Sequence, residues 1–228
     1  MLNQKDRQFI QDFFAKELTG PVKILLFTTG QSEEASEGQK NPYLSQIVEL
    51  MEEVVTASDK LSLQVVRRDQ DPELFAQYDV PLLAVPALAL LGAGDKDYGI
   101  RFWGTPAGYE FRTLMDDIVD VSRGRTKLSE ETRRKLAELK TPIRMQVFVT
   151  PTCPYCPKAV RTAHQFAMES PLVRAEMVEA QEFPDLANQY QVYGVPKTVI
   201  NDGVQELEGA LPEEAFLEAV VAAAGAAV

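Results

Sequence analysis

A chain of 228 residues with 45% apolar and 25% charged side chains can fold as one large globular domain or two ordinary ones. Its formal net charge of −11 opposes nucleic acid and anionic membranes as partners. No membrane span is expected either, since the longest apolar stretches, such as Val80 to Leu91, are short and carry prolines. The first residues, Met1-Leu2-Asn3-Gln4-Lys5-Asp6-Arg7, lack a basic segment leading into an apolar one, so no signal peptide is expected. Two cysteines do not make a secreted disulfide scaffold, which leaves the cytoplasm as the expected compartment.

Asn3 to Leu18 has helical periodicity, with Phe9, Ile10, Phe13, Phe14 and Leu18 assigned to one side. Thr19-Gly20-Pro21 ends it, and Val22 to Phe27 is a buried-strand pattern. A polar loop, Gln31 to Asn41, precedes a helix from Pro42 to Ala57 and a strand from Leu61 to Val66. After Pro72 to Val80, Val85-Pro86 opens a strand to Leu90, Gly99 to Trp103 forms another, and a helix runs from Pro106 to Val121. The stretch Ser122-Arg123-Gly124-Arg125-Thr126 reads as a linker. The same order then recurs. A helix from Leu128 to Leu139 leads to a strand from Ile143 to Val149, a helix from Cys156 to Glu169 and a strand from Val173 to Val178. Pro184 to Val192 follows, then strands opened by Val195-Pro196 and spanning Val204 to Glu208, and a closing helix from Pro212 to Ala223. Leu18/Leu139, Pro21/Pro142, Phe27/Phe148 and Thr29/Thr150 coincide without a gap, so the chain is an internal duplication. Each half is αβαβαββα, in which β-α-β order implies parallel pairing and the last two strands a hairpin.

Both cysteines lie in Thr150-Pro151-Thr152-Cys153-Pro154-Tyr155-Cys156, between a strand and a helix. There the open N–H groups and positive end of the helix favour a thiolate at Cys153, and Pro154 suits a first turn because it needs no N–H partner. Cys156, one turn on, can attack a mixed disulfide formed at Cys153. Zinc is disfavoured, since two cysteines and the single His164 fall short of four ligands. A purely structural disulfide would close almost no loop and stabilise little. In the first half, Ser32 and Ala35 align with the two sulfurs, so that half carries no thiol chemistry.

Cys153-Pro154-Tyr155-Cys156 together with Val195-Pro196-Lys197, on a duplicated chain of this length, resembles the protein disulfide oxidoreductases, or glutaredoxin-like proteins. The resemblance implies an α/β fold of two tandem thioredoxin-like units, each a central mixed β-sheet flanked by helices. Residues 1–122 would form the unit without the motif and residues 123–228 the unit with it. It implies thiol–disulfide oxidoreductase activity that reduces, forms or reshuffles protein disulfides, with Cys153 attacking and Cys156 resolving. It also implies a cis Val195–Pro196 bond, with Pro154, Tyr155, Val195 and Pro196 meeting the substrate; Pro86 stands at the corresponding place in the first half. No metal and no cofactor beyond the Cys153–Cys156 disulfide is expected. The expected partners are protein disulfides and an upstream thioredoxin reductase or glutathione. Members with a second C-x-x-C differ from this chain, and that departure weighs against isomerase chemistry using two dithiols. The arrangement is also similar to the N-terminal domain of the flavoprotein reductase that feeds alkyl hydroperoxidase, although no flavin domain is expected after it. The alternatives are therefore a non-enzymatic adaptor or chaperone and an electron-relay module for a peroxidase.

Several further residues carry expectations. His164, about 12 Å along the helix from Cys156, is expected to pack rather than react. Val147 occupies the place of the buried aspartate of thioredoxins, so water or another carboxylate, Glu176 or Glu179, becomes the candidate proton acceptor. Lys158 and Lys197 flank the motif and are candidates for lowering the Cys153 pKa or, alternatively, solvated charges. Phe102 and Trp103 are assigned to the core.

Overall fold

The structure, a computed structural model, describes residues 2–30, 44–81 and 84–226. Ser32, Ala35 and the Gln31 to Asn41 loop lie outside them.

Helix α1 (Gln4–Glu17) begins where Asn3 accepts the Lys5 and Asp6 N–H groups at 2.9 and 3.0 Å. Ile10, Phe14 and Leu18 are its buried stripe, at four-residue spacing. Phe9 is exposed, a correction to its assignment on the core side, and its ring stacks on Phe13. The first half continues with β1 (Val22–Thr28), α2 (Leu44–Val55), β2 (Leu61–Arg67), α3 (Pro72–Gln77), β3 (Ala87–Gly92), β4 (Lys96–Trp103) and α4 (Tyr109–Arg123). The second half repeats the order with α5 (Glu130–Ala137), β5 (Ile143–Val149), α6 (Cys156–Glu169), β6 (Val173–Glu179), α7 (Pro184–Gln189), β7 (Lys197–Ile200), β8 (Gln205–Glu208) and α8 (Glu213–Ala226). Helix α4 runs to Arg123, one residue past the 122/123 division expected from sequence.

In each half the parallel pair (β1 with β2, β5 with β6) and the antiparallel hairpin (β3 with β4, β7 with β8) form as the element order demands. The duplication does not disclose how the halves join. Strand β4 pairs in parallel with β6, from Ile100 opposite Ala175 to Trp103 opposite Val178. The result is one eight-stranded sheet in the order β2-β1-β3-β4-β6-β5-β7-β8. Each half alone would leave one of these strands as an open edge, and the fusion pairs both. Gly99, at φ +76°, makes the approach possible, since a Cβ there would lie 2.8 Å from the Val173 carbonyl oxygen.

Helices α4 and α6 pack side by side across this seam. Asp117 of α4 accepts from the Arg161 guanidinium and contacts His164 Nδ1 at 2.6 Å, both on α6, while Asp120 takes the other side of Arg161. All four side chains are buried or nearly so. Burial alone would depress the Arg161 pKa, but Asp117 and Asp120 outweigh it and the pKa is raised.

Candidate active site

Strand β5 delivers the chain to the turn that holds Cys153, whose N–H donates to Thr150 O at 3.2 Å. Helix α6 starts at Cys156, and its N-cap residue, Tyr155, offers no side-chain acceptor. The acceptor is Cys153 Sγ, which receives the Cys156 N–H at 3.1 Å. Sulfur therefore stands where a capping oxygen would, facing the open donors of the first turn. A thiolate there gains both a charge-assisted hydrogen bond and the helix dipole. Pro154 lies before the helix and is exposed, a correction to its placement in the first turn, which Pro157 occupies instead. The shift follows from Cys153 itself acting as the cap.

Cys153 and Cys156 form a disulfide. Cys153 keeps 7% of its surface accessible and Cys156 none, so attack from outside can reach only the first sulfur. The Val195–Pro196 bond is cis, as is Val85–Pro86. Val195 O lies 3.7 Å from Cys153 Sγ, so the backbone before the proline borders the sulfur. Tyr155 is 70% exposed at the rim. Cys153, Pro154 and Tyr155 thus lie beside Val195, while Cys156 and Pro196 are buried behind them.

The flanking candidates fall elsewhere. Lys158 Nζ donates to Ala210 O at 3.2 Å, and Lys197 is buried, bonded to Tyr190 O and paired with Glu206, each at 2.8 Å. Lys158 is thus an exposed lysine turned to a carbonyl, and Lys197 a buried, paired one. His164 is fully buried against Phe102 and Asp117, as a packing residue. Met177 packs with the cysteines, so its neighbour Glu176 points to the opposite sheet face, where its carboxylate takes Arg144 Nε at 3.0 Å. Glu179 shares the cysteine face, but its Oε2 is held by the Glu182 N–H at 2.6 Å.

The stronger acidic candidate is Glu110, which sequence reasoning missed. The Tyr109 N–H donates to Pro151 O at 3.1 Å, pinning the start of α4 to the turn that carries Cys153. Gly108, at φ +60°, permits this, since a Cβ would sit 2.1 Å from the same oxygen. Glu110 and Asp117 are seven residues apart and share one face of α4. Asp117 meets α6 in its second and third turns, and both helices start from the same turn, so Glu110 stands level with the start of α6 and Cys156. Burial pushes its carboxyl up to about 7, with Thr113 opposing and Asp117 adding to the shift. Neither carboxylate oxygen has a hydrogen-bond partner of good geometry. No spacing rule links Glu110 to the cysteines. The available signal was the placement of Glu110, Asp117 and Asp120 among the apolar positions of α4.

Comparison with known proteins places this arrangement. The Thioredoxin domain family matches residues 143–222. A protein disulfide oxidoreductase from Aeropyrum pernix K1 of known structure is 32% identical, aligned over 99% of this chain and 95% of its own, with a TM-score of 0.86. The chain belongs to the protein disulfide oxidoreductases. Thioredoxin of Methanocaldococcus jannaschii is 38% identical over 79 residues, which are 34% of this chain and 92% of that protein. The alkyl hydroperoxide reductase F protein of Xanthomonas campestris pv. phaseoli is 26% identical over 156 residues, 68% of this chain but only 27% of the relative's length. The C-x-x-C of this chain is present as the Cys153–Cys156 disulfide. Among its described residues no group of three His, Cys, Asp or Glu could hold a metal, and no helix is long and apolar enough to cross a membrane.

Proposed function

We propose that the enzyme exchanges disulfides with proteins through Cys153 as nucleophile and Cys156 as resolving thiol. The observation that carries this reading is the Cys156 N–H on Cys153 Sγ, with one sulfur accessible and the other buried. In the reducing direction the Cys153 thiolate attacks one sulfur of a substrate disulfide, and that S–S bond breaks as the other sulfur leaves as a thiolate. Glu110 takes the proton from Cys156. Cys156 then attacks Cys153 Sγ, the mixed disulfide breaks, and the second substrate thiolate departs. Two electrons pass to the substrate and the Cys153–Cys156 disulfide remains. Pro154, Tyr155, Val195 and Pro196 border the approaching chain, and the Val195 backbone can pair with it as an added strand.

An upstream dithiol, from a thioredoxin reductase or glutathione, would restore the reduced enzyme, with no further cofactor. The cytoplasm, a reducing compartment, suits this cycle. Residues 1–122 and 123–228 act in this reading as a supporting and a reactive unit. Similarity to the alkyl hydroperoxide reductase F protein favours a second reading, an electron relay to a peroxidase. A Cys156→Ala enzyme mixed with insulin should accumulate a disulfide adduct on Cys153, detected by mass on a non-reducing gel. Adducts at no higher level than with the unmodified enzyme would sink the assignment of the two roles.

A further inference from the structure

Among the described residues, the large apolar or aromatic side chains left exposed are Phe9, Tyr109, Tyr155, Tyr193, Val204 and Val221. The three tyrosines belong to the segments that hold or adjoin one disulfide. Tyr155 lies between the cysteines and is 70% exposed. Tyr193, 93% exposed, is two residues before Val195, whose carbonyl touches the sulfur. Tyr109, 52% exposed, is anchored through its N–H to Pro151, two residues before Cys153. It comes from the half that carries no thiol. Tyrosine offers a large rigid apolar face and a hydroxyl at small entropic cost, which is why it is enriched where polypeptides dock.

Charge narrows the occupant. The elements that carry the disulfide and Val195 hold four basic side chains, of which three are ion-paired and Lys158 is exposed on a carbonyl. Arg144 is on Glu176, Lys158 on Ala210 O, Lys197 on Glu206, and Arg161 between Asp117 and Asp120. The nearby carboxyls of Glu110 and Glu179 are both shifted upward, first by burial. Each half of oxidised glutathione brings two carboxylates and one ammonium, and these elements offer a single exposed cation, Lys158, to the four carboxylates. An extended polypeptide brings apolar side chains and backbone groups, which three tyrosines and the Val195 backbone can meet.

We propose that Tyr109, Tyr155 and Tyr193 form a docking rim for an extended polypeptide flanking the substrate disulfide, so that the first half selects protein disulfides over glutathione. This rests on the disulfide-exchange reading above. It also makes a protein reductase, rather than glutathione, the electron donor.

The test is a set of single-turnover rate constants for the full-length enzyme, reduced beforehand, against insulin, oxidised glutathione and hydroxyethyl disulfide. The unmodified enzyme should react with insulin about a hundredfold faster than with oxidised glutathione. Tyr109→Ser and Tyr193→Ser should each lower the ratio of the insulin to the hydroxyethyl disulfide rate about tenfold, the scale of a moderate interface contact. Val221→Ser, on α8, should leave that ratio unchanged. An unaltered ratio in both tyrosine variants, or glutathione reacting as fast as insulin, would overturn the rim. Failure of the unmodified enzyme with all three disulfides would instead overturn the exchange reading beneath it.

Discussion

Replacing Asp117 with alanine should cost about 3 kcal/mol of stability, because it leaves the buried His164 Nδ1 without its partner and Arg161 with one carboxylate in place of two. The loss should appear as a lower urea midpoint with an unchanged slope. Asp117 belongs to α4 and its two partners to α6, so the contact fastens the halves beside the β4–β6 seam. An exposed pair such as Arg134 with Glu138 lies in water and should contribute well under 1 kcal/mol, which makes Glu138→Ala a fitting comparison. Equal effects from the two substitutions would mean that the α4–α6 cluster contributes no more than a surface pair.

Glu110→Gln should stabilise the enzyme at pH 8 while slowing its reaction. A carboxyl whose folded pKa stands at about 7 against an ordinary 4.5 favours folding when protonated. Its contribution is fully present below pH 4.5 and is lost as pH rises towards 7, because the folded site resists the charge that the unfolded chain accepts freely. That difference corresponds to about 3 kcal/mol. Urea melts should therefore show the variant ahead by up to that amount at pH 8 and level with the unmodified enzyme near pH 4. Insulin reduction at pH 7 should fall about tenfold, since the proton of Cys156 then has only water to take it. A variant with undiminished insulin reduction would remove Glu110 from the proposed cycle and return Glu179 to consideration.

Much of the fold could be read from local pattern. Pro21/Pro142 and Phe27/Phe148 mark the duplication, and within each half periodicity and short connections dictate the strand pairing. The seam could not be read that way. Pairing of Ile100 with Ala175 joins strands remote in sequence, and the mix of Ile100, Arg101, Phe102 and Trp103 in β4 suits an edge as well as an interior strand. The cysteine end of the site was legible because C-x-x-C is a local motif and its helix follows at once. Glu110 was not, since its relation to Cys156 exists only once α4 lies beside α6. Lys158 and Lys197 show the converse limit: closeness in sequence to Cys153 does not decide where a flexible ammonium turns, and Ala210 O and Glu206 capture them. Phe9 was misplaced because one helical position shifts direction by about 100°, enough to take it off the stripe of Ile10 and Phe14.

The most direct test is the pH dependence of iodoacetamide alkylation of the reduced enzyme, with each cysteine followed separately by peptide mass. A sulfur held at the tip of α6 should give Cys153 a midpoint well below the ordinary value of about 8.5, with Cys156 reacting at least about tenfold more slowly. A Cys153 midpoint at or above that value, or faster alkylation of Cys156, would contradict the assignment of Cys153 as the reactive thiolate.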